Sequence, residues 1–241
     1  MDLSIVIPAY EESRKIAVDV KAAADFLVAH NLESEIIVVD DGSMDNTAMK
    51  ASRVKVLLSI VQIEVIRYEP HRGKGYAVRK GIEKSKGRYV MFADSGLCVP
   101  YDDSLQGLEL LKNDSCDIAH GSRKIQGCHI EKPQSLYRRI CSKFFHWFVI
   151  HDMKIPPELT DTQCGFKIYK GDVARHLYSE CITDGFMFDI EIIMRAQKED
   201  YRIKEFPINW TCDRDSRLSP TRSSWRILSE LLQIRKMMKE K

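Results

Sequence analysis

Three short apolar runs in the first hundred residues each end in acidic or polar residues. Ser4-Ile5-Val6-Ile7 runs into Pro8-Ala9-Tyr10-Glu11-Glu12, Glu35-Ile36-Ile37-Val38-Val39 into Asp40-Asp41-Gly42-Ser43, and Arg88-Tyr89-Val90-Met91-Phe92-Ala93 into Asp94-Ser95-Gly96. Continuous apolar runs of this length read as strands of a parallel sheet buried on both faces. Such a sheet needs crossover helices, and the intervening segments supply them. Arg14 to His30 puts Ile16, Val20, Ala23, Ala24 and Leu27 on one helical face, Asp45-Asn46-Thr47 starts a second helix, and Gly73 to Lys84 is a glycine-rich turn opening a third. Val61 to Tyr68 and Asp117 to His120 are further strands, with a short helix over Leu105 to Lys112. The alternation predicts an α/β fold with a mostly parallel, doubly wound sheet. Ligands of open α/β sheets bind beyond the carboxyl ends of the strands. Three carboxylate-bearing strand ends therefore predict one polar site, suited to a base and a hard cation.

The remaining chemistry is compatible with one domain. The chain has 241 residues, 44% hydrophobic and 30% charged, which fits a folded protein. A net charge of +2 gives no strong field for nucleic acid. None of the seven cysteines falls at C-x-x-C spacing, which argues against a zinc site or a disulfide framework and for a reducing, cytoplasmic compartment. The chain opens directly on a strand pattern, so no signal peptide is expected, and no run reaches the roughly 18 apolar residues of a membrane span.

Past residue 123 the character changes. Tyr137 to Ile150 reads as a basic and aromatic helix, Met187 to Glu199 as another, Tyr201 to Trp210 as a strand, and Trp225 to Lys239 as a basic amphipathic helix. Arg72-Gly73-Lys74-Gly75 precedes a helix, and its glycines and lysine suit an anion. Gly121-Ser122-Arg123 ends a strand, so that Arg123 could hold a phosphate bidentately. Arg138, Arg139, Ser142 and Lys143 add donors, followed by Phe144, Phe145, Trp147 and Phe148, a pairing that suits a membrane interface or a core helix with a solvated basic face. Asp189 and Glu191 stand among apolar neighbours, either as functional acids or as decoration of a helix N-terminus. Asp94 has no second acid at D-x-D spacing, because Gly96 stands there.

Taken together, these residues resemble family 2 glycosyltransferases with the nucleotide-diphosphosugar transferase (GT-A type) fold. Within that family the chain is similar to the polyprenyl- and dolichyl-phosphate sugar transferases. The segments that carry the resemblance are Val6 to Glu12, Val38 to Ser43, Arg72 to Gly75, Gly121 to Arg123, Asp161-Thr162-Gln163-Cys164-Gly165-Phe166-Lys167, Phe188 to Glu191, and Asn209-Trp210-Thr211. The resemblance implies a nucleotide-sugar-binding half over residues 1–123 and an acceptor-binding half over 124–241. It implies that Pro8, Tyr10, Glu12, Asp40 and Asp41 hold the nucleotide, with Lys74 beside it. Asp94 would bind Mg²⁺ or Mn²⁺ and the diphosphate; Arg123, Arg138 and Ser142 would hold the acceptor phosphate; Gln163, Asp189 and Glu191 would line the sugar and metal side. The expected reaction is an inverting transfer of a hexose from UDP-glucose or GDP-mannose to a polyprenyl or dolichyl phosphate. Asp94, Arg123, Asp189 and Glu191 are its expected catalytic group. The protein would sit peripherally on the cytosolic face of a membrane, by its own helices or through a membrane-embedded partner subunit. Gly96, and Glu11 where the family has Asn, depart from the pattern. They leave a second expectation: a catalytically impaired nucleotide-sugar-binding or membrane-partner protein of the same fold.

Overall fold

The computed structural model describes residues 1–57, 61–132, 150–211 and 220–240. Arg138, Arg139, Ser142 and Lys143 lie outside them, as does most of the expected aromatic helix. The first half alternates strand and helix as its periodicity requires. It runs β1 (Leu3–Ala9), α1 (Ile16–Ala29), β2 (Ser34–Asp40), α2 (Thr47–Leu57), β3 (Gln62–Arg67), α3 (Lys74–Lys84), β4 (Tyr89–Ala93), α4 (Ser104–Lys112) and β5 (Ile118–Ser122). The second half adds β6 (His129–Lys132), β7 (Phe166–Lys170), α5 (Gly171–Ser179), α6 (Phe188–Lys198), β8 (Ile203–Pro207), β9 (Asn209–Thr211) and α7 (Pro220–Glu240).

Seven strands form one sheet in the order β3-β2-β1-β4-β7-β5-β8. All neighbours are parallel except β7, which runs antiparallel between β4 and β5. Because side chains alternate across a strand, the two faces have separate cores. Ile5 and Ile7 of β1 pack toward α1 with Val20, Ala24 and Leu27, whereas Val6 packs with Ile37, Val39, Val78 and Ile82 on the α3 side.

The single strand expected over Tyr201 to Trp210 is two. Pro207 has no N–H to continue the ladder. β8 stops there beside β5, and β9 pairs with β6 in a separate two-stranded sheet. The C-terminal helix is amphipathic but not wholly free: Leu231 and Ile234 are buried against Met153, Ile155, Ile190 and Ile193, while Leu228 and Leu232 face outward. No helix among the described residues is long and apolar enough to cross a membrane.

Candidate active site

The carboxyl ends of β1, β2 and β4 are neighbours in the sheet, so the three polar turns that follow them meet. Asp40 and Asp41 are buried, and burying two adjacent acids is costly unless each is bonded. The Asp41 carboxylate accepts from the backbone N–H of Arg72 at 2.7 Å and of Gly73 at 2.8 Å, with His71 Nδ1 at 2.9 Å. Asp40 accepts from the Ser43 amide at 3.0 Å and lies 3.6 Å from Arg67 Nε. Asp41 thus ties the turn after β2 to the turn that opens α3. Gly73 has φ of 128° there, and a Cβ would overlap the carbonyl oxygen of Asp184, so only glycine fits. Tyr10 stacks on His71 with ring centroids 4.0 Å apart. Pro8 is in β1 opposite Val39, and the Glu12 carbonyl accepts from the amides of Lys15 and Ile16 at the start of α1.

Lys74, the first residue of α3, reaches across to β4. Its Nζ is 2.6 Å from Asp94 Oδ1. Burial works against the ammonium charge, but Asp94 and then Asp189 outweigh it and hold the Lys74 pKa above the usual lysine range. Gly165 abuts Asp94: its carbonyl accepts from the Asp94 amide at 2.8 Å, and a Cβ on it would overlap the Asp94 carboxylate. Asp189 enters from the first turn of α6 and has its own cation, Lys167 Nζ at 2.5 Å. Lys167 is itself fixed by the carbonyls of Cys164 (2.8 Å) and Thr162 (3.2 Å). Burial raises the Asp189 pKa, with Lys167 and Lys74 opposing.

Arg123 follows β5 and is clamped. Its Nε and Nη2 donate to the two oxygens of Asp161 at 2.6 and 2.7 Å, and its guanidinium lies 5.2 Å from the Trp210 ring. The same pair holds Asp161 at about 2: burial raises it, and Arg123 more than reverses that. Asp94 contributes to the Arg123 potential, which joins this pair to the Lys74 cluster. Nearby, the amide nitrogen of Gln163 is buried with no hydrogen-bond partner among the described residues.

Two acids of α6 go different ways. Two residues along a helix is about 200°, so Asp189 and Glu191 face opposite sides. Glu191 is fully buried and accepts from the amides of Ile182 (3.0 Å) and Thr183 (2.8 Å) and from Arg195 Nε (2.8 Å). It anchors the chain entering α6, and its partners there are not the Lys74 cluster. The sequence reading missed Lys167, Asp161 and Asp19. Asp19, buried in α1, accepts from the Gly96 amide at 2.8 Å and so underpins the turn after β4. The signal for Lys167 is a lysine between Phe166 and Ile168 in an apolar strand; Asp161 stands in a segment singled out only for its resemblance.

Residues 4–178 match the glycosyl transferase family 2 description. The chain belongs to that family. Two dolichyl-phosphate beta-glucosyltransferases are similar to it over 97% of its length: that of Dictyostelium discoideum at 31% identity, with 73% of the relative covered, and that of Homo sapiens at 32%, with 74% covered. Among solved structures, glucosyl-3-phosphoglycerate synthase from Mycobacterium tuberculosis with Mn²⁺, UDP and glucosyl-3-phosphoglycerate superposes with a TM-score of 0.68. The identity is 20%, and the match covers 97% of this chain and 79% of that one. The same enzyme with Mn²⁺, UDP-glucose and phosphoglyceric acid gives 0.70 at 18% identity, covering 98% and 80%. The fold is that of GT-A glycosyltransferases, and the chain is a glycosyltransferase.

Those neighbours hold a divalent cation; the described residues of this glycosyltransferase form no clear site for one. Asp94 is already ion-paired with Lys74, and Asp189 with Lys167. Gly96 sits at φ of 105°, a conformation that strains any carboxylate-bearing residue. No group of three or more His, Cys, Asp or Glu side chains placed to hold a metal exists among the described residues. Mg²⁺ is commonly held by one or two carboxylates plus substrate phosphates and water, and here each carboxylate of the cluster already faces an ammonium.

Proposed function

We propose that this glycosyltransferase moves a hexose, with inversion, from a nucleotide-diphosphosugar to a polyprenyl phosphate at a membrane surface. The observation that carries the reading is the convergence of Asp41, Lys74, Asp94, Asp189 and the Arg123–Asp161 pair at one end of the sheet. Glucose is the favoured sugar, because the relatives covering most of this chain are named glucosyltransferases. Tyr10, Glu12, Asp40 and Asp41 would receive the nucleoside, with Pro8 shaping the strand end. The diphosphate would lie by Lys74 and the sugar by Asp189 and Gln163.

In the proposed reaction, an oxygen of the acceptor phosphate forms a bond to the anomeric carbon. The bond from that carbon to the donor diphosphate breaks, and its electron pair leaves with the nucleoside diphosphate. The acceptor phosphate is already anionic, so the chain's work is to hold two anions together rather than to remove a proton. Lys74 would offset the leaving group. Arg123, its fork fixed by Asp161, would orient the acceptor, joined by Arg138 and Ser142. A binding protein without turnover is not favoured, since the relatives that match most of this chain are named transferases.

The test incubates purified protein with UDP-[¹⁴C]glucose or GDP-[¹⁴C]mannose and polyprenyl phosphate in detergent. Organic-phase label is expected from the glucosyl donor, and Arg123→Ala lowers it at least tenfold, about 1.4 kcal/mol of barrier. Absence of lipid-linked sugar from either donor overturns the proposal.

A further inference from the structure

We propose that the Lys74 ammonium is the cation of the donor diphosphate site, so that the nucleoside diphosphate binds this chain without a divalent metal. The inference rests on the reading of the cluster as a nucleotide-sugar site, and goes beyond it in saying what neutralises the phosphates. Three independent features support it. Lys74 Nζ lies 2.6 Å from Asp94 Oδ1, so this carboxylate already has a cation bound at one oxygen. The lysine is rigidly delivered, because it opens α3 directly after Gly73, whose amide is bonded to Asp41. Its position between Asp94 and the Phe92 and Phe188 rings, each 5.9 Å from Nζ, leaves it little freedom to swing away.

The turn after β4 supplies the second feature. At φ of 105°, Gly96 has a backbone that an acid could adopt only under strain, so this position does not hold a second metal ligand in waiting. Its amide is instead committed to Asp19. The third is the charge count. Asp189, the next carboxylate in reach of Lys74, is neutralised by Lys167, itself held by two carbonyls. A divalent ion at these carboxylates would meet a fixed ammonium beside each of them. An ammonium has three donors, so Lys74 can keep Asp94 while turning another N–H to a phosphate oxygen.

Calorimetric titration of UDP and GDP into the full chain, in excess EDTA and in millimolar Mn²⁺ or Mg²⁺, tests this. The expected result is binding of one nucleotide with affinities within threefold across all conditions. Lys74→Met keeps the apolar stem. It is expected to weaken binding in EDTA at least tenfold, while Lys74→Arg retains most of it; far-ultraviolet circular dichroism and a thermal melt confirm that each variant folds. If wild-type affinity falls tenfold or more in EDTA and Mn²⁺ restores it, the inference is overturned and the glycosyl-transfer reading stands. If neither nucleotide binds under any condition, the site reading itself fails, and the inference with it.

Discussion

Asp19 offers a sharp test of how the turn after β4 is held. Its carboxyl is 1% exposed, and burial raises its pKa from the ordinary 3.8 to about 6; Gly96 N–H opposes the shift and Glu12 adds to it. Tyr101 packs against the same group, and its own phenol is pushed up by burial and by Asp19. A folded-state pKa above the unfolded one means that the native protein holds more protons between those two values. Stability therefore falls as pH rises from about 4 to about 6 and stays lower above that. At about 1.4 kcal/mol per pH unit, the gap between 3.8 and 6 is worth about 3 kcal/mol. Asp19→Asn keeps the shape and one acceptor for the Gly96 amide but cannot ionise. Urea unfolding at pH 4 to 8 is the assay. The stability of the variant relative to wild type should climb by about 2 kcal/mol across that range, part of the full gap lying below pH 4, with most of the change between pH 4 and 6. A difference that stays flat with pH would show that Asp19 is not a buried ionising group, and the account of the turn would be wrong.

Two further substitutions probe the neighbouring pairs. Asp161→Asn removes the carboxylate that Arg123 grips; since that carboxyl is held at about 2 against 3.8, roughly 2 kcal/mol of stability at pH 7 should vanish in chemical denaturation. That contribution is present above pH 4 and is lost in wild type as pH falls toward 2, so the variant's deficit should shrink on acidification. Gly165→Ala puts a methyl group into the Asp94 carboxylate and should lower sugar transfer at least tenfold with an unchanged circular dichroism spectrum; wild-type turnover would show that Asp94 tolerates displacement.

The parallel half of the fold was legible because its strands are uninterrupted apolar runs and its helices have clear faces. β7 was not. Phe166-Lys167-Ile168-Tyr169-Lys170 alternates like a half-exposed strand, yet it lies in the middle of the sheet, with Lys167 buried. Its alternation is paid for by Asp189, a residue 22 positions away that no local pattern links to it. The strand ends carrying Asp41 and Asp94 were readable for the opposite reason: an acid directly after a buried run has few places to go. Glu191 shows the limit of that reasoning. Both acids of Phe188-Asp189-Ile190-Glu191 are buried, but helical rotation sends one to Lys167 and the other to Arg195.

Each of these carboxylates comes with a cation already in place: Asp94 with Lys74, Asp189 with Lys167, Asp161 with Arg123. A cluster paired in this way has little surplus charge to attract an anionic ligand from a distance. If the cluster is the phosphate site proposed above, selectivity arises on contact, when a phosphate oxygen takes one donor of an ammonium or guanidinium that its carboxylate continues to hold. Such an exchange favours a ligand whose oxygens match the fixed positions of Lys74 and Arg123 over any other polyanion of equal charge. The carboxylates are in this sense the precision elements of the site. They keep two buried cations charged and aimed, which is why removing Asp161 or displacing Asp94 should cost as much as removing the cation itself.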